Sequence, residues 1–297
     1  MNQKLSRRQA LQGVGAVGLM AAAPASFAAA ALPDWDRPID IHMHVEPRTS
    51  NYAPFGTREQ MVDQHYDELL HYMDRNGIAK IIPSAGYRYR RTEGIVDTRA
   101  MNDMIAGLVA KNTARFPAGI GTVEVQHGEA SLQELERMSH ELKLKAVGWH
   151  HADDGTVIDH PFMRPILKQV QALNMIPFIH TREKEYEAWW RLEVLAEEFP
   201  DLSFVAMSGL ATTDDRTHAA VIGRRHKNVM VDTGPALYGG ESALQELVQA
   251  IGAERVLYGS DDNTTLTLQV IRNSALSDHE KQLILSGNAA RLFGLKA

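Results

Sequence analysis

The chain has 297 residues, room for one large domain or two modest ones. Its 44% hydrophobic and 23% charged residues are ordinary for a globular protein, and a net charge of −6 argues against nucleic acid or an anionic membrane as partner. The absence of cysteine excludes disulfides, thiolate nucleophiles and Cys-held metal clusters, so any metal must sit on His, Asp or Glu, and thirteen histidines are available.

In chain order, Lys4, Arg7 and Arg8 open a positively charged start, and a small apolar stretch runs from Gly13 to Ala23. Small residues around Pro24-Ala25-Ser26-Phe27-Ala28 then offer a cleavage point after Ala28. This is the three-part layout of a bacterial signal peptide over residues 1–30. Ser6-Arg7-Arg8-Gln9-Ala10-Leu11 resembles the twin-arginine export motif, with Ala10 where Phe is commoner. The run is short and Gly-rich for a bilayer span. The expectation is a periplasmic protein with no stable membrane anchor after cleavage, its mature domain covering residues 31–297.

Beyond Leu32, short apolar runs alternate with longer amphipathic ones. The spacing predicts strands over Ile39–His44, Lys80–Ser84, Ala118–Val123, Leu144–Trp149, Met175–His180, Leu202–Met207, Val229–Asp232 and Arg255–Tyr258. It predicts helices over Glu59–Asn76, Thr98–Arg115, Leu132–Leu142, Phe162–Leu173, Lys184–Phe199 and Glu241–Ile251. Buried strands alternating with helices imply a parallel sheet, and eight units in roughly 265 residues match a single-domain (β/α)₈ TIM barrel. No Gly-x-Gly-x-x-Gly follows the first strand and no P-loop appears, so neither common nucleotide fold competes.

Asp40-Ile41-His42-Met43-His44 ends the first strand. Positions two apart share a face, which sends His42 and His44 into one space and Ile41 and Met43 towards the helices. His180 closes the fifth strand and Asp261 the eighth, and a barrel delivers all these strand ends to one mouth. Buried polar groups there need partners, and one shared cation satisfies all four. Taken singly, His180 also reads as a core histidine and Asp261 as a helix cap.

The stretch from Asp40 onward resembles the amidohydrolase superfamily, in the branch that holds aminocarboxymuconate-semialdehyde decarboxylase and related lactonases and hydratases. The matching segments are Asp40-Ile41-His42-Met43-His44, Lys145-Ala146-Val147-Gly148, Pro177-Phe178-Ile179-His180-Thr181, Leu257-Tyr258-Gly259-Ser260-Asp261 and the closing Gly287-Asn288-Ala289-Ala290-Arg291-Leu292-Phe293-Gly294. The resemblance implies one divalent metal on His42, His44, His180 and Asp261, zinc first with manganese or iron as alternatives, and Asp261 as the group that takes and passes on a proton. It breaks after the sixth strand, where relatives carry a histidine and this chain has Ser208. A hydroxyl cannot carry an imidazolium's charge, so His150 or His151, just after strand four, is expected to take over part of that role.

Arg182, Arg88 and Arg90 are the candidate contacts for an acidic substrate, with Trp149 beside them. The leading expectation is a metal-dependent hydrolase of a small ester, lactone or amide. A non-oxidative decarboxylase or hydratase with the same metal is the alternative, and a non-catalytic periplasmic barrel that binds a small ligand is the reading from another class. Self-association is left open.

Overall fold

Each apolar run between turn residues becomes a strand, and the strands associate in chain order. The computed structural model describes residues 36–45, 57–89, 91–182, 185–236, 239–261 and 264–295. The proposed signal peptide and Arg90 lie outside the described residues. The strands are β1 (Ile39–Val45), β2 (Lys80–Ala85), β3 (Ile120–Thr122), β4 (Ala146–Trp149), β5 (Ile176–His180), β6 (Phe204–Met207), β7 (Val229–Asp232) and β8 (Val256–Leu257). They form one parallel sheet in the order β1 to β8. Backbone bonds from Ile41 N to the Tyr258 carbonyl and from Asp261 N to the His42 carbonyl bring its two edges together. The result is the expected (β/α)₈ barrel, within one compact unit that runs from Asp34 to Ala297.

Helices α1 (Arg58–Asn76), α2 (Ile95–Lys111), α3 (Glu129–His140), α4 (His151–Asp154), α5 (Met163–Ala172), α6 (Trp189–Glu198), α7 (Thr213–Arg225), α8 (Gly240–Ile251), α9 (Thr264–Asn273), α10 (Asp278–Gln282) and α11 (Asn288–Phe293) complete the chain. α1 starts on a capping box, in which the Thr57 hydroxyl accepts from Gln60 N while the Gln60 side chain accepts from Thr57 N. It ends on Gly77 at φ 66°, the left-handed conformation that glycine adopts without strain. Among the described residues no helix is long and apolar enough to cross a membrane.

Strand alternation divides the core in two. Ile39, Ile82, Ile120, Ala146, Phe178, Val205 and Leu257 pack together inside the barrel. Val147, Trp149, Ile179, Phe204, Val231 and Val256 pack with the helices outside it. β1 departs from strict alternation. Its register against β2 shifts between Asp40 and Met43, so an extra residue is accommodated there. Ile41 consequently joins the interior cluster, against the expectation that it faces the helices, whereas Met43 does pack outside. Below the shift, the Asp40 carboxylate accepts from the backbone N–H groups of His42 and Ser260 at 3.1 Å each, clamping β1 to the segment after β8.

A second departure matters for function. The helix expected over Lys184–Phe199 is two pieces: a 3₁₀ turn at Glu185–Glu187, then α6 from Trp189. Ala188 between them is extended, at φ −59° and ψ 132°. Arg182 N donates to the Glu187 carbonyl at 2.8 Å, and Arg182 bridges Ala188. The β5–α6 segment thus folds back along the end of β5 instead of starting the helix early.

Candidate metal centre and active site

β1 and the segment after β8 meet at the barrel mouth, and three donor atoms converge there. His42 Nε2 lies 3.0 Å from His44 Nε2, and Asp261 Oδ1 lies 3.6 Å from the first and 3.5 Å from the second. Ligand atoms about 2.0–2.2 Å from one cation stand roughly 3–3.6 Å apart, so this triangle has the spacing of a metal site. Two imidazoles and a carboxylate suit a divalent transition metal. The residues therefore fit a single ion with an open face to the cavity. Asp261 holds φ at +47°, unusual for a non-glycine residue, and its N–H is tied to the His42 carbonyl at 2.8 Å.

The far side of His42 is held as firmly. Its Nδ1 lies 2.5 Å from Asp232 Oδ2 at the end of β7, and both side chains are fully buried. Asp232 Oδ1 accepts from Ser208 N at 2.8 Å and Gly234 N at 3.2 Å. Gly259 permits this approach, since a Cβ there would stand 2.6 Å from His42 Cβ and 2.8 Å from Asp232 Oδ2. Burial alone would lower the His42 pKa, but the Asp232 carboxylate outweighs it and raises the group to about 9. For His44, burial and the neighbouring His42 act together and lower it to about 3. Burial acts to raise Asp261, yet the surrounding histidines bring it below its ordinary value.

His180 stands in a neighbouring group. Its Nδ1 lies 3.0 Å from Glu187 Oε2, and His150 Nδ1 lies 2.8 Å from Glu187 Oε1. The two rings stack, with centroids 3.9 Å apart and planes at 20°. The four expected ligands thus divide: His42, His44 and Asp261 share one cluster, and His180 shares the other with His150 and Glu187. The clusters are adjacent, since His180 acts electrostatically on both His44 and Asp261. Tyr87 bridges them, its ring 5.3 Å from His44 edge-on and 5.9 Å from His150. A Cβ on Gly148 would collide with the Tyr87 hydroxyl, so glycine at that strand position makes room for this wall.

Both clusters open into one cavity of about 1060 Å³. His44, Tyr87, His150, His180, Arg182 and Asp261 line its floor and sides, and α1 contributes Leu69 and Tyr72 to its rim. Arg182 lines it while its guanidinium reaches the buried Asp215 at 3.3 Å. Arg88 lines it from a side chain 77% exposed, 3.8 Å from Asp153.

Other expected positions are placed elsewhere. Trp149 is fully buried in the outer cluster, because Gly148 takes the inward position on β4 and Trp149 the outward one; it does not line the cavity. His151 is buried on α4, with Nδ1 3.1 Å from the Thr156 hydroxyl, and burial lowers its pKa to about 3. Of the adjacent pair, His150 is the one that reaches the cavity. Ser208 is buried at φ 72° with its N–H on Asp232, and its hydroxyl has no partner among the described residues. Sequence reasoning missed Asp232 and Glu187. Asp232 carried the same signal as Asp261, an acid closing an apolar strand, whereas Glu187 was hidden by the helix expected through it.

The family model described as Amidohydrolase matches residues 39–295. The chain is 33% identical over 98 residues to 2-amino-3-carboxymuconate-6-semialdehyde decarboxylase of Dictyostelium discoideum, a stretch that makes up 33% of this chain and 27% of the relative. Among solved structures it is similar to 5-carboxyvanillate decarboxylase from Sphingomonas paucimobilis, with 22% identity and TM-score 0.68, covering 88% of this chain and all of the other. It is also similar to 2,6-dihydroxybenzoate decarboxylase from Rhizobium, with 19% identity, TM-score 0.67 and the same coverage. A dihydroxybenzoic acid decarboxylase from Polaromonas, described with bound manganese and the inhibitor 2-nitroresorcinol, has 20% identity and TM-score 0.68, covering 88% of this chain and 98% of its own. At these identities the structural likeness speaks for the fold. The expectation that put hydrolysis of an ester, lactone or amide first is corrected by these relatives, which are decarboxylases.

Proposed function

From the premise that this chain belongs to the amidohydrolase family, we propose that it is a metal-dependent, non-oxidative decarboxylase of a small aromatic or similarly unsaturated carboxylic acid. The observation that carries this reading is the His42–His44–Asp261 donor triangle on the floor of a cavity that also presents Arg182 and the Tyr87 ring. Cation and guanidinium suit an acid, and the aromatic wall suits a flat, conjugated body. His42, His44 and Asp261, with His180 next to them, would hold a divalent ion, manganese or zinc, which would supply Lewis-acid polarisation of the substrate's oxygens.

The chain's own residues supply the rest. Arg182 pairs with the substrate's acidic groups and orients it over the triangle. Asp261, ionised at rest, takes an O–H or N–H proton of the substrate on the carboxylate oxygen not engaged in the triangle and passes it to the ring carbon that bears the carboxylate. The carbon–carbon bond then breaks, its electron pair stays with the ring, and carbon dioxide leaves. The deep, largely buried floor keeps bulk water away from that carbon while the proton is passed and the bond breaks. His150, not His151, stands in for the histidine expected after the sixth strand, because it alone of the two reaches the cavity.

The test is carbon dioxide release from a panel of hydroxybenzoic and carboxymuconate-type acids by protein loaded separately with manganese and zinc. Release that vanishes in Asp261→Asn supports the reading, and its absence across the panel rejects it. Export belongs to the proposal as well: periplasmic protein with an N-terminus at Ala29 supports it, and uncleaved protein retained in the cytoplasm overturns it.

A further inference from the structure

Resting on the reading of the mouth as a metal-dependent active site, we propose that Glu187 is a positioning residue that holds His180 and His150 together by their Nδ1 atoms. Each ring thereby turns its opposite nitrogen, Nε2, towards the reacting centre. The geometry is bidentate: Oε2 lies 3.0 Å from His180 Nδ1 and Oε1 lies 2.8 Å from His150 Nδ1. Neither nitrogen has a partner of good hydrogen-bond geometry among the described residues, so the Glu187 carboxylate, in close charge contact, is the polar group that faces each of them. Glu187 is 1% exposed, so its carboxylate does not trade these contacts for water.

The local backbone is built to deliver this carboxylate. The Arg182–Glu187 backbone bond, the Arg182–Ala188 bridge and the extended Ala188 turn the segment after β5 back onto the end of its own strand. Ala152 N donates to Glu187 Oε1 at 3.2 Å, which ties α4, the element just after His150, to the same group. Ile158 N donates to the Tyr186 carbonyl at 3.1 Å and anchors the turn from the other side.

The chemistry follows from imidazole itself. A neutral ring has one N–H and one lone pair, and an N–H directed at a carboxylate leaves the lone pair on the other nitrogen. With Nδ1–H on Glu187, the lone pair of His180 stands on Nε2, the nitrogen left for an ion at the neighbouring His42–His44–Asp261 triangle. The rings stack 3.9 Å apart with both Nδ1 atoms on one carboxylate, so His150 takes the same tautomer, and its side chain lines the cavity. One carboxylate therefore fixes one imidazole for the ion and another for the substrate. Asp232 makes the analogous contact to His42 alone.

The experiment measures manganese affinity by chelator competition, separately from turnover, on wild type, Glu187→Gln, Glu187→Asp and His150→Ala, with ¹⁵N-histidine NMR of the wild type. An amide keeps the volume but has one acceptor oxygen for two N–H donors. Glu187→Gln is expected to weaken manganese binding about 10- to 100-fold and to lower kcat when fully loaded. Glu187→Asp should recover part of either loss, and His150→Ala should lower kcat with manganese affinity unchanged. NMR should place the His180 proton on Nδ1. Unchanged affinity in Glu187→Gln, or a His180 proton on Nε2, would overturn the proposal; the NMR result stands even if the variants fail to fold. Two manganese equivalents in the wild type, one lost in both Glu187→Gln and His150→Ala, would overturn it in favour of a cation held between the three side chains. Protein that binds manganese but decarboxylates nothing rejects the reaction assigned above and leaves this test intact.

Discussion

Asp232 and Glu187 each lie against a histidine Nδ1 at the barrel mouth, yet they reach it by opposite routes. Asp232 is the last residue of β7, and the parallel sheet alone sets its position. Glu187 sits in a turn that must fold back over β5 before its carboxylate meets His180. The first carboxylate serves one ring, and its other oxygen is spent on the backbone N–H groups of Ser208 and Gly234. The second serves two rings at the ends of adjacent strands, His180 closing β5 and His150 just after β4. A strand end gives a fixed, single contact; a folded-back loop can couple two functional groups.

The largest expected effect lies on the strand-borne side. Asp261→Asn should cost on the order of 10³-fold in turnover, the range for a lost proton-transfer group, together with manganese affinity. Turnover surviving that substitution would break the assignment of the triangle as the reacting centre. Asp232→Asn is next. It should weaken manganese binding about 10- to 100-fold yet leave kcat of the loaded enzyme near that of the wild type, unlike Glu187→Gln. If both variants lower loaded turnover equally, the contrast between single and double service fails.

Arginines sharpen the loop side. Arg182→Ala should raise KM about tenfold or more, because a charge-assisted contact contributes roughly 1.5–3 kcal/mol, whereas the exposed Arg88 should matter only a few-fold when replaced by Ala. Equal effects on KM would mean that Arg182 is occupied by Asp215 alone. Trp149→Ala tests alternation one residue before His150. Loss of a fully buried indole should destabilise the fold by about 3–5 kcal/mol in thermal or urea unfolding, with KM unchanged. A raised KM at unchanged stability would put the ring in the cavity.

Asp154 is buried beside Arg91, Glu124, Asp153 and Tyr87, and burial raises its pKa from 3.8 to about 8. The folded state then binds a proton that the unfolded chain releases, so stability contributed below pH 4 is lost as pH rises towards 8, on the order of 1 kcal/mol per unit. Unfolding midpoints between pH 5 and 8 should fall in the wild type and fall less in Asp154→Asn. Parallel profiles would remove Asp154 as the cause.

What the sequence made legible follows the same division. Eight apolar runs gave the barrel, and a parallel barrel sends every strand end to one mouth, which brought His42, His44 and Asp261 into one cluster and His180 into the neighbouring one. Alternation misled at Ile41, where the register of β1 shifts, and at Trp149, where the outward position belongs to the larger side chain. Choosing between His150 and His151 needed the direction of the chain as it leaves β4. Glu187 was hidden because Lys184–Phe199 reads as one amphipathic helix. The extended Ala188 that divides it follows Glu187, whose carbonyl accepts from Arg182 N, a contact with no sequence pattern.

The most direct test of the account is carbon dioxide release from a hydroxybenzoic or carboxymuconate-type acid by the manganese-loaded protein run in deuterated water. One equivalent of carbon dioxide, with one deuterium at the ring carbon that lost it, and neither product from Asp261→Asn, is the predicted result. Hydrolysis of an ester or lactone at a rate that Asp261→Asn abolishes, with no carbon dioxide from any acid, would contradict it.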